Sequence, residues 1–154
     1  MKIAVGADHA GFRYKEMLIK FLTDLGHECQ DMGAATDAVP ADDYHWTSAA
    51  VAEAAARGKV DRGIVICGTG VGVSIAANKV PGARCALCND LFTARMSREH
   101  NEANVLALGS RVIGEGLAKE IVRTWLETEF SGGRFIKRNA NVSRIEERYQ
   151  EKTA

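Results

Sequence analysis

The feature that most constrains the fold is a repeated alternation. Short apolar runs that read as strands are separated by longer segments in which apolar residues recur at helical spacing. The strand-like runs are "KIAVGAD" at the start, the weaker "HECQDMG", then "DRGIVICG", "ARCALCN" and "NVLALGS". Between them, Met17, Leu18, Phe21, Leu22 and Leu25 mark a helix that stops at Gly26. "YHWTSAAVAEAAARG" is alanine-rich and helical, residues 71–79 form a short helix stopped by Pro81-Gly82, and "DLFTARMSREHN" starts a helix near Asp90. "GEGLAKEIVRTWLETEF" is amphipathic, with Leu117, Ile121, Val122 and Trp125 predicted on one face. "SGG" breaks it, and Val142, Ile145 and Tyr149 space out a terminal helix. Five strands alternating with helices predict a three-layer, Rossmann-like α/β fold. Its sheet is parallel, with helices on both faces. Residues 1–154 form one domain, with 130–154 as a C-terminal extension.

In such folds, ligands bind beyond the carboxyl ends of the strands. That rule selects "ADHAG", "CGTGVG", "CND" and "GSR". Lys+Arg and Asp+Glu both number 20, so no global field attracts nucleic acid or a membrane surface. No run is apolar and long enough to span a bilayer, and the N-terminal run is too short for a signal peptide. The expected location is the cytoplasm, where the four cysteines are free thiols. Cys85 and Cys88 have C-x-x-C spacing in an apolar run without further ligands nearby, so they read as core cysteines and no metal is expected.

Gly68, Gly70 and Gly72 make a strand-to-helix turn. It is not a dinucleotide fingerprint, because Val73 stands where the third glycine belongs, and no G-K-[ST] follows to make a phosphate-cradling P-loop. Cys67 at the head of this turn faces the N–H groups of a helix start, which favour a thiolate and can hold an oxyanion. A base beside an oxyanion hole is what proton abstraction next to a carbonyl requires. Asp8 and His9 end the first strand, while His100 and Asn101 lie where a helix gives way to a loop. Arg134 and Arg138 are four apart and share a helix face. With Arg111 and His9 they suggest a phosphate site. Each arginine alone would read as a solvated basic side chain.

These pieces resemble the ribose/galactose phosphate isomerase family. The matching stretches are "GADHAGF", "DDYHW", "GIVICGTGVGVSIAANKVPGARCAL", "SREHNEANVLALGSRVIG" and the C-terminal "GGR…R", in order along nearly the whole chain. The resemblance implies an aldose–ketose isomerase for a phosphorylated sugar that uses no metal or other cofactor. It implies Cys67 as the base working through an enediolate, and Thr69 assisting at the substrate oxygens. The backbone of Gly68, Gly70, Val71 and Gly72 would hold the enediolate. His100 would open the furanose ring, with Asp8 on a sugar hydroxyl opposite. Asn101 would bind the sugar, Tyr44 would line the pocket, and His9, Arg111, Arg134 and Arg138 would hold the phosphate. It also implies a homodimer or dimer of dimers with shared sites, the loop of His100 facing the partner's Cys67, and a C-terminal helix reaching the partner chain. Some family members carry a glutamate base near the glycine turn; "GVGVS" contains no acid, which favours Cys67. The family's Asp-Tyr-Pro pattern reads Asp43-Tyr44-His45 here, which bears on the sugar rather than the chemistry. Ribose 5-phosphate to ribulose 5-phosphate is the expected reaction. A tetrose or hexose phosphate is the alternative, and a non-catalytic sugar-phosphate binder is the rival from another class.

Overall fold

A computed structural model describes residues 1–37 and 44–150. The chain runs β1 (Lys2–Ala7), a single 3₁₀ turn (His9–Gly11), α1 (Phe12–Asp24), β2 (Glu28–Asp31), α2 (Tyr44–Ala56) and β3 (Arg62–Cys67). It continues through α3 (Val71–Ala77), β4 (Cys85–Leu87), α4 (Leu91–Glu99), β5 (Val105–Gly109), α5 (Glu115–Glu127) and α6 (Arg134–Gln150). The strands form one sheet in the order β2-β1-β3-β5-β4, with every pairing parallel. The three-layer arrangement expected from the alternation is therefore present.

Strand parity sorts the core into two sides. Ile3, Val5, Ile64, Ile66, Leu106 and Leu108 point to the side covered by α1, α4 and α5, where Leu18, Leu22, Ile121, Val122 and Trp125 meet them. Ala4, Val65, Cys67, Val105 and Ala107 point to the other side, against α2 and α3. Large side chains fill the first layer and small ones the second, so α2 lies close to the sheet. A Cβ added at Gly6 would stand 2.5 Å from Thr47 Cγ2, and one at Gly63 would stand 2.7 Å from Val51 Cγ1. The alanines of α2 are what allow this approach.

The order of the strands explains which side each helix takes. Connections that step from β1 to β2 and from β4 to β5 run in one direction, and their helices share a face. Those from β2 to β3 and from β3 to β4 run the other way and cover the opposite face, as uniform crossover handedness demands. The chain thus reverses direction around β3, and a crevice opens at the carboxyl ends of β1, β3 and β5.

Two details differ from the sequence reading. Leu117 was expected on the buried face of α5, but it is exposed. Ala118 takes the position beneath it, so the buried stripe runs Ala118, Ile121, Val122, Trp125. The terminal helix begins at Arg134 rather than at Asn141, directly after Gly132 and Gly133, both at positive φ. It buries no residue, and Val142, Ile145 and Tyr149 remain exposed along it.

Candidate active site

Cys67 is the last residue of β3, and its parity turns it toward α2 and α3. The turn that follows is shaped by close approach. Gly70 has φ +78, and a Cβ there would lie 2.4 Å from Leu87 Cδ1 and 2.9 Å from the Leu108 carbonyl carbon. Gly109 lets β5 pass the same turn, since a Cβ at that position would meet Thr69 O at 2.5 Å. Only glycine fits either place. Held in this way, Gly70 N–H donates to Cys67 Sγ at 3.1 Å, and Val71 N–H donates to Thr69 Oγ1 at 3.2 Å. An N–H aimed at sulfur interacts more strongly with a thiolate than with a thiol.

The neighbouring loops converge on this turn. Asp8 is buried and accepts from Gly11 N–H at 3.0 Å, which anchors the turn carrying His9. Asp8 N–H donates to Ile66 O, one residue before the thiol. Ser110 Oγ donates to Ala10 O at 2.7 Å, tying the loop after β5 to the same turn. Arg111 N–H donates to Gly68 O at 2.9 Å, and the arginine side chain lies where a side chain at Gly68 would be. Tyr44 opens α2 with its ring across Gly72, where an added Cβ would be 2.9 Å from Tyr44 Cζ. Asp8, His9, Tyr44, Cys67, the 68–72 turn and Arg111 therefore stand around one crevice. Asp43 lies outside the described residues. His45 is exposed, with its ring packed on Trp46 at 4.9 Å.

His100, Asn101, Arg134 and Arg138 form a second group. His100 is the C-cap of α4, which starts at the carboxyl end of β4 and returns to the amino end of β5. Cys67 pairs in register with Gly109, at the far end of β5 from Val105. A strand of that length puts about 15 Å of sheet between the two groups within one chain. The His100 ring stacks on Phe135 at 4.2 Å, and Phe135 also carries the guanidinium groups of Arg134 and Arg138 at 5.0 and 5.6 Å.

The sequence reading passed over Arg84. Its Nε and Nη2 donate to Glu102 O at 3.1 and 3.0 Å, and Nε also reaches Asn101 O at 3.1 Å. This clamp holds the turn in which Glu102 takes φ 51. Buried Arg98 braces the same turn from beneath through Nη1 to Ala103 O, and burial lowers its pKa to about 10. A charged residue ahead of an apolar strand was the one available signal for Arg84. Asn101 borders a cavity of about 770 Å³ between α6 and the β4 edge, which includes no residue of the Cys67 turn.

Burial pushes the Cys85 thiol up to about 12 and raises Cys88 as well. Both behave as core residues, on opposite sides of the sheet. Among the described residues, no group of His, Cys, Asp and Glu side chains is placed to hold a metal ion, and no helix is long and apolar enough to cross a membrane.

The fold and the crevice define a doubly wound α/β protein with its polar site at the carboxyl edge of the sheet. A family model described as Ribose/Galactose Isomerase matches residues 3–142, and the chain belongs to that family. Ribose-5-phosphate isomerase B of Escherichia coli is 48% identical over 147 residues, covering 96% of this chain and 97% of that protein. D-erythrulose-4-phosphate isomerase of Pectobacterium atrosepticum is 43% identical, covering 86% of this chain and 87% of the relative. The structure of Clostridium thermocellum ribose-5-phosphate isomerase B superposes with a TM-score of 0.94 at 52% identity, covering 97% of this chain and 99% of that one.

Proposed function

We propose that this protein is a sugar-phosphate isomerase that interconverts ribose 5-phosphate and ribulose 5-phosphate. The observation that carries the reading is the thiol of Cys67 at the strand end, held by Gly70 N–H inside a turn that presents further backbone N–H groups. In the open-chain aldose, Cys67 as thiolate takes the proton from C2. The C2 electrons form the enediol double bond, and the aldehyde oxygen becomes the enediolate oxygen. Backbone N–H groups of Gly68 and Gly72 hold that charge, joined by those of Gly70 and Val71 as they turn from Cys67 Sγ and Thr69 Oγ1 once Sγ has taken the proton. Thr69 passes a proton between the substrate oxygens. The Cys67 thiol then returns its proton to C1, giving the ketose. Tyr44 lines the pocket, and the reaction needs no cofactor.

Ring opening precedes this chemistry. We assign it to His100, with Asp8 on a sugar hydroxyl and Asn101 on the sugar. His9, Arg111, Arg134 and Arg138 take the phosphate, whose bidentate acceptors suit guanidinium groups. The two groups of residues stand at opposite ends of the sheet in one chain, so one active site is assembled from two copies. The crevice with Cys67 comes from one protomer, and the His100 loop with α6 comes from its partner. The exposed apolar residues Ile136, Val142, Ile145 and Tyr149 on α6 give that partner a surface to cover.

A panel of tetrose, pentose and hexose phosphates assayed on the purified protein tests the reading. Fastest turnover of ribose 5-phosphate supports it. Preference for D-erythrulose 4-phosphate, the substrate in the Pectobacterium relative's name, would keep the chemistry and change the sugar. Binding without turnover of any member would replace the enzyme with a sugar-phosphate binder.

A further inference from the structure

Phe135 has no polar atom and contributes nothing to the buried core, yet its ring touches three side chains of the second group at once. His100 stacks on it nearly parallel, at 4.2 Å and 16°. Arg134 and Arg138 place their guanidinium carbons 5.0 and 5.6 Å from its centroid. The segment before α6 is fixed to the end of α4 through Ser131 N–H on Glu99 O at 3.0 Å, and Phe135 N–H closes the turn on Gly132 O. The ring is thus delivered to His100 by a docked helix start.

We infer that Phe135 is a positioning residue that aligns the ring-opening imidazole with the phosphate-binding arginines. The inference rests on the roles proposed above for His100, Arg134 and Arg138. An imidazole at a helix C-cap and two long exposed guanidinium side chains each sample several rotamers. Stacking and cation–π contact to one shared ring restrict all three together. The ring also fixes the distance between the group acting at the sugar ring and those holding the phosphate. Loss of the ring therefore affects turnover and phosphate binding at once. Because α6 also carries Arg134 and Arg138, retention of both readouts by an aromatic replacement, set against their loss in aliphatic ones of similar volume, separates alignment by the ring from a loosened helix.

The test measures kcat for ribose 5-phosphate and the inhibition constant of inorganic phosphate in the full-length protein. Phe135→Leu and Phe135→Met keep apolar volume and helix propensity but remove the aromatic face, and Phe135→Tyr restores it. Because Phe135 is half-exposed, at least one aliphatic variant is expected to fold, as checked by circular dichroism. Either folded aliphatic variant should lose about 10-fold in kcat and weaken phosphate binding about 3-fold, and the tyrosine variant should recover both. Aliphatic variants within about 2-fold of the parent on both readouts would overturn the inference, provided that His100→Asn and Arg138→Ala are impaired. If those two controls also match the parent, the roles of His100 and Arg138 fall, and the inference falls with them.

Discussion

Cys67 and Cys85 are both cysteines of strands facing the α2 and α3 side, and their surroundings differ. Cys67 receives an N–H from Gly70, whereas burial drives the Cys85 thiol to about 12. Iodoacetamide at pH 8 should label Cys67, abolish turnover and be slowed by substrate. Cys85 should stay unlabelled in the same peptide map. Full labelling of Cys67 with activity retained would remove it as the base. Cys85 also sets an alkaline limit on stability. Its folded pKa lies above the ordinary 9.0, so the unfolded chain loses this proton first as pH rises. The contribution is complete below about pH 9 and is lost on the way to pH 12. Cys85→Ala should flatten that alkaline decline in urea midpoints; an unchanged decline would assign it to other groups. At Gly70, alanine would meet both positive φ and a Leu87 side chain 2.4 Å away. Gly70→Ala should cost about 2–4 kcal/mol in chemical denaturation.

At the scale of elements, the α4–β5 junction is the place where packing supports the proposed chemistry. Arg84 holds the carbonyls of Asn101 and Glu102, and Arg98 holds that of Ala103. Together they keep His100 at a fixed helix end. Arg84→Ala should lower kcat about 10-fold and stability by about 1 kcal/mol, because the half-buried carbonyl of Glu102 and the exposed one of Asn101 lose their donor. A stability loss with unchanged kcat would show that the clamp does not govern His100. Much of this level was legible in the sequence. Short apolar runs and helical spacing located the strands and helices, most of them because they bury apolar residues; β2, β4 and α6 have no fully buried residue. Leu117 was misplaced because helical spacing alone does not say which of two adjacent residues faces the sheet; Ala118, being small, packs there. The early start of α6 escaped because residues 134–141 are mostly polar and bury no stripe to reveal it.

Over the whole molecule, the strand order brings Asp8, Cys67 and Arg111 to one crevice, and the return of α4 to the amino end of β5 puts His100 at the other end of the sheet. Spacing showed these residues but not their separation, which follows from the return of α4 to the amino end of β5; only the resemblance implied that the loop of His100 faces the partner's Cys67. Contacts made by side chains without chemistry of their own, Phe135 above all, could not be read from spacing. The proposed site shared between two chains has a direct consequence. Cys67→Ala and His100→Asn proteins, each inactive alone, should recover about a quarter of the parent activity after unfolding and refolding as a mixture. The mixed dimer then holds one intact site and one doubly altered site. No recovery would place both residues in the same chain's site.

The most direct measurement of the central claim is steady-state turnover of ribose 5-phosphate by Cys67→Ala beside the parent protein, with substrate binding measured on both. The account predicts a loss of about 10³-fold or more in kcat with binding retained, since the base is gone and the phosphate grip is not. Turnover within about 10-fold of the parent would contradict it and move the proton transfer to another residue of the crevice.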